Sequence, residues 1–246
     1  MREPGMSRLG TAYLRAIQAV GRRLSYGMNV FERSWDVLVV LDGCRADLLA
    51  SVADDYDFLD DPGSIRSVGS ASSEWLENTF VGHPETEATV MVTANTWTDR
   101  YLDADAFAAV DEVWKYAWDD DHGTIPAAAV TDRAISHARE DDPDRLVVHY
   151  MQPHHPFVPD PLDDDDGLVR AGSHSNTANP WVALRQDEVS VERVRMPTAP
   201  ILNTCWRRSP RCWRTSMVGS PSRPITATSL VSGGCMATRW RRPFPR

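Results

Sequence analysis

The chain has 246 residues, with 35 Asp and Glu against 26 Lys and Arg and a formal net charge of −9. It is long enough for one domain of moderate size with a real core. No acid follows Glu192, so residues 1–195 hold all 35 acidic and only 17 basic side chains. So acidic a body excludes a nucleic-acid-binding core, and no apolar run approaches the roughly 18 residues needed to span a membrane.

The opening "MREPGMSRLGTAYLRAIQAVGRRLSYG" is basic without a continuous apolar segment, so it does not read as a signal peptide. Leu14, Ile17, Val20 and Leu24 recur at helical spacing. An amphipathic helix over 1–26 follows, packed on the domain or lying on a membrane surface. "WDVLVVLDGCR" then gives Val37 to Leu41 as an unbroken apolar run closed by Asp42 and Gly43, the pattern of a buried strand in a parallel sheet. A short helix is predicted from Asp47 to Ala53. After a turn at Asp61-Pro62-Gly63 come a strand-like "SIRSV" and a helix from Ser72 or Ser73. "ATVMVTAN", residues 88–95, is a second buried strand. "DAFAAVDEVWKYAW" reads as helix then strand, and "GTIPAAAVTDRAISHARE" as a turn and a long helix. "DRLVVHYMQPHHPFVP" is a third buried strand running into a histidine-proline loop; the acidic "DPLDDDD" after it reads as a solvated loop.

Strands alternating with helices predict an α/β fold with a mostly parallel sheet flanked by helices. In such sheets ligands sit beyond the carboxyl ends of the strands. Three of the predicted strands end there in useful groups: Asp42, Thr93 with Asn95, and His154 with His155. Read locally, Asp42 is a metal-binding carboxylate or a turn aspartate. "VGSASSEW" puts Ser70, Ser72 and Ser73 at a helix start, where backbone N–H groups favour an anion and an activated hydroxyl. A plain capping box fits the same letters.

Taken in order, "WDVLVVLDGCRAD", "SIRSVGSASSEWLENTF", "VMVTAN", "VTDRAI" and "LVVHYMQPHHPF" resemble the sulfatase-like proteins of the alkaline phosphatase superfamily, in the form common in extreme halophiles. The resemblance covers about residues 27–195. It implies a metal-dependent hydrolase of phosphate or sulfate esters, small-molecule or glycan, using a divalent cation (Zn, Mn, Mg or Ca). Carried onto this chain, it implies Asp42 as the first metal ligand, Ser72 as the nucleophile and His154 as the contact to the substrate's anionic group. Ser70 and Ser73 remain alternative nucleophiles. A phosphoglycerol- or phosphoethanolamine-type transferase shares these features. The formylglycine pattern of arylsulfatases is absent at Cys44-Arg45-Ala46-Asp47 and at Gly219-Ser220-Pro221-Ser222-Arg223. Asp121-His122-Gly123 spells the superfamily's second metal motif but stands too early in the chain. With one lysine, Lys115, and an Asp-rich body, the composition suits a salt-adapted cytoplasm. The four cysteines, Cys44, Cys205, Cys212 and Cys235, lack the paired spacing of a zinc site and fit a reduced protein.

From Met196 onward the sequence changes character, with nine arginines, no lysine and no acid. Either it is a basic arm for anionic partners, or it is out of frame. The genetic code favours the second reading. Taking each codon's last base with the next codon's first two turns Trp206 and Trp213, which follow cysteines, into Leu. It turns Val218 and Ala237, which follow methionines, into Gly. With permitted third bases, 196–218 reads "DAYRANLEYVLEEVAALLENVDG", an amphipathic helix. Likewise 222–245 reads "ITADHGNLAGEWGVYGHPVAAPVP", a strand followed by the missing Asp-His-Gly and a later Gly-His-Pro. The expectation is therefore a sulfatase-like N-terminal portion over 27–195 and an out-of-frame, irregular tail over 196–246. The tail would cost the sheet its late strands, and the chain would be a truncated, inactive family member holding its metal weakly.

Overall fold

The computed structural model describes residues 27–51 and 63–156, the backbone of two strands at 225–230 and 235–238, and a few isolated positions. The predicted N-terminal helix and the acidic loop after residue 160 lie outside this range, apart from Thr11-adjacent positions 12 and 13, which are helical.

Strand β1 (Val37–Asp42) is buried at every residue, as an unbroken apolar run should be. It is followed by helix α1 (Ala46–Ser51), strand β2 (Gly63–Arg66) and helix α2 (Ser72–Phe80). Strand β3 (Thr89–Thr93) is again fully buried. "DAFAAVDEVWKYAW" forms a short 3-10 turn, strand β4 (Ala109–Glu112) and another 3-10 turn. Helix α3 (Ala127–Glu140) and strand β5 (Arg145–Tyr150) follow as the periodicity predicts.

The sheet order is β2-β7-β6-β1-β5-β3-β4, where β6 is Ile225–Leu230 and β7 is Cys235–Thr238. The run β6-β1-β5-β3-β4 is parallel; β7 is antiparallel to both β6 and β2. The irregular tail expected over 196–246 is thus corrected at two segments, and β1 does not lose its outer neighbour. The physical reason is local. "ITATSL" keeps three β-branched residues, Ile225, Thr226 and Thr228. The free side of β1 offers a row of unpaired N–H and C=O groups that any extended segment can satisfy.

Period-two alternation sorts the strand residues onto two covered faces. Val37, Val39, Leu41, Val90, Val92, Leu146 and Val148 pack with Val130 and Ala134 of α3. Leu38, Val40, Met91 and Val147 pack with Trp75, Leu76 and Phe80 of α2. The result is three layers, helix on sheet on helix. Each fully buried large side chain contributes about 1.5–3 kcal/mol, so Trp75 and Phe80, both at most 1% exposed, anchor α2 firmly. Among the described residues no helix is long and apolar enough to cross a membrane.

Candidate active site

The alternation that builds the core also aims the site. Asp42 shares parity with Leu38 and Val40, so its carboxylate faces α2. β5 pairs with β1 so that His149 stands opposite Val40, two residues before Asp42 and on the same face. His149 shares parity with Val147 and faces α2 as well. Beyond the end of β3, Asn95 is held on the same side. Its backbone N–H bonds Thr93 Oγ1 at 3.0 Å, and its Oδ1 accepts from Trp97 N at 2.9 Å.

Three side chains meet as a result. Ser72 Oγ donates to Asp42 Oδ2 at 2.9 Å, and Asn95 Nδ2 donates to the same oxygen at 2.8 Å. Ser72 opens α2, and Gly69 fixes how the preceding loop crosses that first turn. A Cβ at Gly69 would stand 2.4 Å from Trp75 N, which real contacts never allow. Ser72 therefore presents its hydroxyl among the free N–H groups of a helix start, where an anion is favoured.

The other serines separate cleanly from Ser72. Ser70 donates from both its N–H and its Oγ to Glu74 Oε2, at 3.0 and 2.7 Å, and so ties the helix start together. No side-chain cap comes from Ala71, the N-cap residue. Of the three serines only Ser72 has a hydrogen bond to the Asp42 carboxylate.

Gly43 makes the turn after Asp42 at φ +71°, a conformation that suits glycine. The side chain and Cα of His154 lie 3.5 Å from where a Gly43 Cβ would stand. The histidine loop after β5 is thereby laid against the turn that carries Asp42. His154 Nδ1 bonds the His155 carbonyl at 2.7 Å, which leaves Nε2 for another partner. Burial, with the charge of His154 adding, pushes His155 down to about 4 and keeps it neutral. The loop is held further by Gln152 Nε2, which donates to the Ile125 carbonyl at 2.9 Å.

Asp42 is 4% exposed. Burial alone raises its pKa, yet His149 beside it, the charge of His154 and the Ser72 hydroxyl outweigh that and hold it below the ordinary carboxylate value. His149 Nε2 is 3.6 Å from Asp42 Oδ2, beyond hydrogen-bond length. Both of its ring nitrogens are buried without a partner. Sequence reasoning passed over His149 because it sits inside "LVVHY", which reads as core. Its signal was being the one polar residue between apolar neighbours in that strand.

Asp121-His122-Gly123 lies in an exposed turn and is engaged with its own neighbour. Asp119 Oδ2 is 2.9 Å from His122 Nδ1, and Asp119 Oδ1 accepts from Asp121 N at 2.9 Å. Among the described residues no group of three or more His, Cys, Asp or Glu side chains could hold a metal ion. The donors at Asp42 fit part of a divalent-cation site: one carboxylate, the Ser72 hydroxyl and the orphaned His149 Nε2. No known family, curated relative or solved structure matches the chain at a significant level.

Proposed function

We propose that residues 27–156 carry the nucleophile end of a metal-dependent hydrolase of phosphate or sulfate esters, and that the chain in its present frame is not itself catalytic. The observation that carries this reading is the Ser72 Oγ–Asp42 Oδ2 hydrogen bond of 2.9 Å at a helix start beyond a central parallel strand. Ser72 Oγ attacks the phosphorus or sulfur atom, its proton passing to Asp42, while the ester bond breaks with its electron pair going to the leaving oxygen, which takes a proton from water; water then cleaves the Ser72 ester and the hydroxyl is restored. The N–H groups opening α2 and the imidazole of His154 receive the anionic oxygens. A divalent cation held at Asp42 would polarise the ester and lower the pKa of the Ser72 hydroxyl. Asn95 orients Asp42 and thereby fixes which oxygen Ser72 uses.

Inactivity follows from the tail. β6 lies parallel to β1 with Leu230 opposite Asp42, so the strand ends at the same end of the sheet as Asp42. In the alternative frame Asp-His-Gly falls at 225–227, positions that here open β6 opposite Val37, Leu38 and Val39, so the restored strand would have to take another register to bring that carboxylate and imidazole to Asp42. In the present frame the residues after β6 are Val231-Ser232-Gly233-Gly234, which offer neither. Incorporation of 225–230 and 235–238 into the sheet also speaks against a free basic arm for nucleic acid.

The test compares two proteins. The gene is resequenced around the codon for Arg195, and the frame-restored chain is made beside the 246-residue chain. With 4-nitrophenyl phosphate or sulfate and Mn, Zn, Mg or Ca, the restored chain turns over and the present chain does not. Stops in the alternative frame, or metal-dependent turnover by the present chain, would overturn the reading.

A further inference from the structure

We propose that His149 is a cation ligand, pairing its Nε2 with Asp42 so that the present chain holds one zinc-type ion without the late Asp-His-Gly. The inference shares Asp42 with the hydrolase reading but does not need the chain to be catalytic. Three observations converge. His149 is fully buried with both ring nitrogens unpartnered. Buried polar atoms are nearly always satisfied, so an orphan of this kind points to an ion or water. Its Nε2 is 3.6 Å from Asp42 Oδ2, too long for a hydrogen bond. Two donors each about 2.0–2.2 Å from a tetrahedral zinc stand about 3.4 Å apart, which is close to this spacing. Third, the Ser72 hydroxyl touches both Asp42 oxygens, at 2.9 and 3.2 Å, and is only half-buried, so it supplies a third donor and the side from which an ion enters.

The donor set also selects the ion. One imidazole, one carboxylate and one hydroxyl suit zinc or cobalt; magnesium and calcium prefer more oxygens than Asp42 and Ser72 provide. Asn95 Nδ2 occupies one lone pair of Asp42 Oδ2 and orients the carboxylate for the cation, as an outer-shell partner does.

The 246-residue chain is titrated with zinc alone by calorimetry, and separately with cobalt while its indole N–H resonances are followed. The expected result is one zinc per chain, weakened about tenfold or more in His149→Asn and in Asp42→Asn, and unchanged in His122→Ala on the exposed turn. Cobalt should broaden the Trp75 indole signal selectively, because Trp75 lies against His149 with ring centroids 5.6 Å apart. The cobalt measurement needs no variant and so stands even where a buried substitution prevents folding. No zinc binding, binding insensitive to His149→Asn, equal preference for magnesium, or broadening elsewhere than Trp75 overturns the proposal. Zinc binding without turnover by the restored chain would overturn the hydrolase reading alone.

Discussion

Two aspartates of the one sheet, Asp42 at the end of β1 and Asp111 in β4, meet their neighbours in opposite ways. Each is held below the ordinary carboxylate pKa against the opposing pull of burial. Asp111 achieves this with a full set of partners. It accepts from Arg133 Nε at 2.6 Å and from Tyr116 OH at 2.6 Å, and His137 Nε2 stands 3.0 Å away. His137 in turn reaches Asp141 at 2.5 Å, so α3 is clamped to the edge strand. Asp42 has only neutral donors, Ser72 and Asn95, at hydrogen-bond distance, and its histidine stands out of reach with both nitrogens unpartnered. A satisfied carboxylate is a fastening. One with an unsatisfied neighbour is held in readiness, the arrangement expected where chemistry outranks stability.

The comparison breaks most visibly in turnover. In the frame-restored chain, Ser72→Ala should lower kcat on the order of a thousandfold or more, whereas Arg133→Ala leaves kcat within about twofold because it touches only the clamp; steady-state kinetics decide. Stability should show the reverse. Asp111→Ala strands Arg133 and His137 and should cost about 1–2 kcal/mol in urea denaturation at low salt. Arg133 is 45% exposed, so that cost should shrink in molar salt. The effect of Asp42→Asn, at a nearly fully buried site, should barely respond to salt. Equal salt dependence of the two would erase the distinction.

At the site itself, Gly43→Ala forces a Cβ onto a φ of +71° with His154 3.5 Å away. A loss of about 1 kcal/mol, seen as a lowered urea midpoint, is expected. His155 supplies the pH signature. Its pKa, about 4 in the fold and near 6.5 when unfolded, means the unfolded chain binds the extra proton between those values. Stability should therefore rise from pH 4 to 6.5, and His155→Gln should flatten that window. The two depressed aspartates steepen only the acid end of that window, since their contribution is lost progressively from about pH 5 downward. The smallest effect is Tyr116→Phe, which removes one hydrogen bond to Asp111 and should cost about 0.5–1 kcal/mol by the same denaturation.

Much of this geometry was legible in the sequence, and the failures have physical causes. β1, β3 and β5 were legible because strands buried on both faces leave unbroken apolar runs. Asp42, Ser72 and His154 could be singled out because Asp42 ends β1, Ser72 begins α2 and His154 lies in the loop after β5. Asn95 was visible as a strand-end group, but its grip on Asp42 depends on the adjacency of β3, β5 and β1, which no local pattern encodes. His149 was hidden by its apolar neighbours. The two tail strands were hidden because a sequence without period can still extend along a waiting edge. The clamp at Asp111 escaped notice because its members, Tyr116, Arg133, His137 and Asp141, come from separate segments and resemble ordinary surface residues.

The pairing of β6 with β1 carries a lesson about what a fold can survive. Main-chain hydrogen bonds are indifferent to which amino acids carry them, so the edge of β1 accepts a strand as little patterned as Ile225–Leu230. Catalytic centres have no such tolerance, because they are written entirely in side chains. Architecture is thus the less demanding of the two, and a sheet can be completed by a strand that brings no chemistry with it.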